Sequence, residues 1–66
     1  MKINAGELVE ICVDLGGITC FQGFFKGEIE GFYVLDVLIS DLKIETYIRK
    51  DYVIVLKRKL KISQQA

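Results

Sequence analysis

The chain has no histidine, no proline and no tryptophan, and only two cysteines among its 66 residues. Without histidine the commonest general acid–base is missing. Neither cysteine stands in a CxxC arrangement, so a structural zinc site has almost no ligands to draw on. A glycine-rich phosphate loop of Walker type is also absent, and neither Cys12 nor Cys20 has a base nearby in the sequence to activate a thiolate. Glu28 and Glu30 lie two apart and read as solvent-facing charge. The expectation is a protein that is not an enzyme, with no catalytic residue, no metal and no cofactor.

No uninterrupted apolar run approaches the roughly 20 residues that span a bilayer, and the start MKINAGELVE lacks the apolar core of a signal peptide. A cytoplasmic protein with no membrane partner is expected. The two cysteines could pair across a hairpin, yet two are a poor framework for a secreted scaffold. In the cytosol they would stay reduced, and they are read as packing residues. Low-complexity and Pro/Ser-rich tracts are missing, which argues against a disordered linker. One domain over residues 1–66 is expected, with 1–6 and 61–66 peripheral. At this size a chain is near the lower limit for burying a core alone, so association is an option from the start.

Apolar spacing of three and four never persists over the ten or more residues of an ordinary helix. Residues 1–6 end in Gly6 and leave room for no more than one helical turn. From Leu8 the pattern is that of a strand: Val9, Ile11, Val13 and Leu15 fall on one side and Glu10, Cys12 and Asp14 on the other. Gly16-Gly17 suits a tight turn, and a second strand returns as Ile18 to Lys26, with Phe21 and Phe25 on the core face and Phe24 opposite. Gly23, in its middle, marks a bend or bulge that lets one strand serve two sides of a small barrel. Gly27 and Gly31 bracket Glu28-Ile29-Glu30 as a connection.

A third strand follows from Phe32 to Ile39, Ser40-Asp41 gives a turn, and Leu42 to Ile48 alternates as a fourth. Only Arg49-Lys50-Asp51 separates Ile48 from the apolar run that begins at Tyr52, enough for a reversal and too little for a crossover helix. A hairpin-like strand pair over Tyr47 to Leu60 is the natural reading. Five short strands make an all-β fold wound into a small, strongly bent barrel. With no helix to cover the sheet, Phe24, Tyr33, Leu35, Tyr52 and Ile54 are expected to face outward.

Net charge is zero, but its distribution is uneven. Residues 1–42 hold two cations and seven anions, and residues 43–66 hold seven cations and two anions. This split fits a basic patch for nucleic acid, complementary faces for self-association, or two solvated surfaces. Lys57-Arg58-Lys59-Lys61 is either a phosphate-contact cluster or a solvated strand end.

Two stretches carry a resemblance to a known family. Val9, Ile11, Val13, Gly17, Phe21, Gly23 and Phe25 match in type the first motif of the Sm/LSm family of RNA-binding ring proteins, which includes the bacterial Hfq-like branch. Tyr47-Ile48-Arg49-Lys50-Asp51-Tyr52-Val53 resembles the second motif, with Lys50 in place of a glycine. The resemblance implies a homo-oligomeric ring of about five to seven subunits, in which the fourth strand of one copy pairs with the fifth of the next. Tyr47, Tyr52, Ile54 and Leu56 would lie at that interface. It also implies single-stranded RNA as a partner, with Tyr33 stacking on a base and Arg49 and Lys50 beside it. Glu30 takes the family's acidic position, and Val34 stands where the family has an asparagine. A valine offers a base edge neither donor nor acceptor. Arg49 and Lys50 are also open to being a basic ring around a pore or, ahead of either, ordinary polar turn residues. The implied function is a ring-forming protein that binds single-stranded RNA through a non-standard pocket. The alternative is a structural or protein-interaction barrel that assembles without RNA.

Overall fold

A computed structural model describes residues 2–59. Five antiparallel strands form one strongly bent, barrel-like sheet: β1 Leu8–Asp14, β2 Ile18–Ile29, β3 Phe32–Ile39, β4 Leu42–Arg49 and β5 Val53–Arg58. The chain enters β1 without a helix, through a turn at Gly6 with φ 93°. Leu60 and residues 61–66, including Lys61 of the basic cluster, lie outside the described residues.

β2 is the long element, and it changes neighbours partway along. Its first half, Ile18 to Phe24, pairs with β1, and its second half, Gly23 to Ile29, pairs with β3. Gly23 sits at the handover, opposite Val9 on one side and Val37 on the other. A Cβ there would lie 2.4 Å from the Asp36 carbonyl oxygen and 2.9 Å from the Val37 Cα, so only glycine lets the two backbones come so close. The sequence places a bend at Gly23, and the change of neighbour does fall there. The irregular register comes later, between Phe25 and Gly27. β2 then runs on through Glu28 and Ile29, where a connection was expected, and turns at Glu30-Gly31.

Three reversals are hairpins. Asp14 Oδ1 accepts from the backbone N–H groups of Gly16 (3.3 Å) and Gly17 (3.2 Å), an aspartate-anchored turn in which Gly16 alone takes a positive φ. Ile29 pairs with Phe32 and Ile39 with Leu42, leaving two-residue loops. At the second of these, Ser40 and Asp41 have φ of 45° and 67°, the left-handed pair that matches the twist of flanking strands.

The fourth reversal is different, and it corrects the expected hairpin. Lys50–Tyr52 forms a single 3-10 turn. β4 and β5 are not bonded to each other, because β5 crosses to β1 and completes the strand order β4-β3-β2-β1-β5. The Lys50 N–H donates to the Gly31 carbonyl (3.0 Å), which ends the β3–β4 ladder and turns the chain off the sheet edge. Val53 and Leu56 then pack on the core.

That core is Val9, Ile11, Val13, Phe25, Leu35, Val37 and Ile48, with Ile3, Phe21, Tyr33, Val53 and Leu56 packed against it. Leu35 was expected to face outward, and it is fully buried. It lies directly opposite Phe25, and directly opposed residues share a face, so the inward Phe25 brings Leu35 with it. Tyr33 follows by the alternation of β3, its ring 6.2 Å from that of Phe25. Phe24 is outward and half-buried, with the Lys43 ammonium 5.0 Å from its ring centre. Leu15 extends past the end of β1 and is exposed.

Candidate functional site

The residues expected around an RNA base divide into two places. Glu28 pairs with Tyr33 across β2 and β3, and Lys50 reaches both from the 3-10 turn. Its ammonium donates to Glu28 Oε1 (2.6 Å) and lies 5.2 Å from the centre of the Tyr33 ring. The Glu28 bond holds the Lys50 ammonium above its ordinary pKa. Together with Lys2, Ile3, Phe25 and Leu56, Glu28 and Tyr33 line a cavity of about 260 Å³. The ammonium covers a face of the Tyr33 ring beside this opening and is already paired with Glu28, so a flat, negatively charged ligand would meet it there in competition with that carboxylate.

Arg49 goes elsewhere. As the last residue of β4 it meets Asp51 (3.3 Å) and lies 5.7 Å from the centre of the Tyr52 ring. These two tyrosine-side contacts belong to different openings. Arg49 and Tyr52 border an apolar cleft of about 360 Å³ whose walls include Val13, Phe21, Val37 and Ile48.

Part of the uneven charge along the chain is met within the fold. Lys50 meets Glu28, Lys57 meets Glu10 (3.7 Å) and Arg58 meets Glu7 (2.5 Å), each joining a cation of the C-terminal half to an acid of the N-terminal half. Arg58 also donates to the Lys2 carbonyl. Its bond lowers the Glu7 carboxyl below its ordinary pKa, helped by the Asn4 N–H. Lys57 and Arg58 are therefore already engaged at the strand end that offered a phosphate-contact cluster.

Of the four residues expected at a subunit interface, Tyr47 (53% exposed), Tyr52 (44%) and Ile54 (51%) are open to solvent. Leu56 instead lies opposite Ile11 and packs on the core. Tyr47 donates its hydroxyl to Glu45 (3.1 Å), which raises its pKa, and its ring meets Phe32 edge-on at 6.5 Å. Leu42 and Ile44 add exposed apolar surface along β4, as Val55 does along β5. Ile54 stands at a register shift in the β1–β5 ladder.

Cys12 and Cys20 lie directly opposite each other and are joined as a disulfide, where packing thiols were expected. The hairpin that separates them by eight residues in sequence sets their Cα atoms 4.0 Å apart. Sequence reasoning also missed the partners of the cations. Glu28 reads as loop charge until β2 is extended to Ile29, which puts it opposite Tyr33. Glu10 falls on the side of Cys12 by alternation, as read, but its partner Lys57 follows only from the β1–β5 register.

Comparison with known protein families, with characterised proteins and with solved structures finds no match. Among the described residues no helix is long and apolar enough to cross a membrane.

Proposed function

We propose that the chain is a self-assembling, Sm-like barrel that closes into a homo-oligomeric ring of about five to seven copies through its two outer strands. The observation that carries this reading is the open sheet: β4 and β5 are both edge strands, unbonded to each other, and both expose apolar side chains. An edge strand presents unpaired backbone N–H and C=O groups, and β4 of one copy against β5 of the next would satisfy both edges at once. Tyr47, Tyr52 and Ile54 would be covered in that contact. Light scattering over a range of concentrations tests it. The wild type should have the mass of a closed oligomer, and Ile54→Lys should have the mass of one chain. A wild type that stays monomeric at tens of micromolar overturns the reading.

Single-stranded RNA is the ligand proposed for the assembled form, at the corner of Tyr33 and Lys50 with Arg49 on the neighbouring opening. What supports it is the cation held over an aromatic face beside a cavity. The intrachain pairing of Lys50, Lys57 and Arg58 favours the second reading, a structural or protein-interaction ring that holds no RNA. Titrating labelled uridine-rich and adenosine-rich oligomers over a range of salt separates the two. RNA binding predicts affinity that falls with salt and with Lys50→Ala, and no binding at micromolar protein in low salt leaves the structural ring. The cytosol is the compartment proposed for either form, and its reductants would return Cys12 and Cys20 to thiols.

A further inference from the structure

We infer that Glu10, Cys12 and Cys20 form a redox-gated site for a thiophilic divalent cation of the zinc class. The disulfide is its closed state. One carboxylate oxygen and two sulfurs lie within 4.8 Å of one another on the outer face of the sheet. Tetrahedral zinc, with Zn–S of about 2.3 Å and Zn–O of about 2.0 to 2.2 Å, sets its ligands about 3.5 to 3.8 Å apart. Reduction lets the two sulfurs separate to that spacing, and Glu10 is already within reach.

The ligands stand on two central strands. Glu10 and Cys12 are two apart on β1 and so share a face, and Cys20 is opposite Cys12 on β2. On the other side of β1, Lys57 pairs with Glu10 and Val55 with Cys12, which walls the site along β5. Cys12 is buried and Cys20 exposed, so the site opens to solvent above Cys20, where water would take the fourth position. Two thiolates and one carboxylate against the Lys57 ammonium leave a formal charge of about −2, matched to a divalent ion. Lys57, 3.7 Å from Glu10, also holds the carboxylate in place.

The chemistry balances with a dithiol as reductant. It gives two electrons and two protons, the Cys12–Cys20 bond breaks, two thiols form, and the reductant leaves as its own disulfide. Metal binding then releases both thiol protons to solvent. The oxidised pair has no thiolate to offer and binds nothing.

Cobalt(II) added to the reduced full chain, without oxygen, is the test. The expected result is a sulfur-to-cobalt charge-transfer band saturating at one ion per chain, absent after oxidation to the disulfide and lost in Cys20→Ser. Glu10→Gln should weaken binding by about 10-fold or more. If reduction unfolds the chain, cobalt should restore the strand signal in circular dichroism. The inference is overturned by the lack of a band at about 100 μM cobalt. It is equally overturned by one ion per two chains, by unchanged affinity in Glu10→Gln, or by an unfolded reduced chain that cobalt does not rescue.

Discussion

The three inner strands and the two outer ones differ in how their edges and the middles of their apolar faces are covered. In β1, β2 and β3 every strand is bonded on both sides, and the side chains of Val9, Ile11, Phe25, Leu35 and Val37 close on one another. In β4 and β5 each strand is bonded on one side, and Leu42, Ile44, Tyr47, Ile54 and Val55 are left exposed. The inner part has its backbone partners within the chain, and its exposed apolar residues, Ile18, Ile29, Leu38 and Ile39, stand at the ends of β2 and β3. The outer part, among the described residues, has apolar surface and free backbone edges, which the proposed association would cover. Function, on this account, lies in the part of the sheet that the chain leaves unfinished.

The largest effect should come from the inner strands. Leu35→Ala empties the best-buried position of β3 and should cost about 3 to 4 kcal/mol in urea unfolding. Gly23→Ala comes next, at about 2 to 3 kcal/mol, because the added methyl meets the Asp36 and Val37 backbones, which cannot move aside as a side chain would. If Gly23→Ala unfolds like the wild type, the close approach that lets β2 serve two neighbours is not there.

Edge variants should separate assembly from folding. Ile44→Lys and Ile54→Lys are expected to change the stability of the single chain by no more than about 0.5 kcal/mol while reducing the solution mass to that of one copy. Equal loss of stability at inner and outer positions would erase the contrast between them.

The smallest effect concerns pH. Arg58 and the Asn4 N–H lower the Glu7 carboxyl in the folded state, so the stability from that contact is present above the ordinary carboxylate pKa and is lost as pH falls through the lowered value. Arg58→Gln should therefore be less stable than wild type at neutral pH and equal to it in acid. A Glu7 titration by NMR that is unchanged in Arg58→Gln would remove the contact from the account.

Much of the inner sheet is legible in the sequence because alternation and turn residues act locally. β3 begins at Phe32 and ends at Ile39 as read, and Ser40-Asp41 makes the turn that its residue types favour. What was misread depends on distant partners. β3 is apolar on both faces, so its inward side is set by register with Phe25, which the sequence of β3 alone does not carry. Arg49-Lys50-Asp51 has the right length for a reversal, but length does not say whether the next strand returns to β4 or crosses to β1. The site was legible only in part for the same reason. Tyr33 and Lys50 do meet, while Arg49 points into the other opening and Glu28 enters as an unforeseen partner.

Amide hydrogen exchange, resolved by residue and followed as the protein is diluted, tests the unfinished sheet most directly. The account predicts that the outward amides of both β4 and β5 are protected at tens of micromolar and lose that protection together on dilution, while β1 to β3 hold theirs. Outward amides on β4 and β5 that exchange rapidly at every concentration would contradict it.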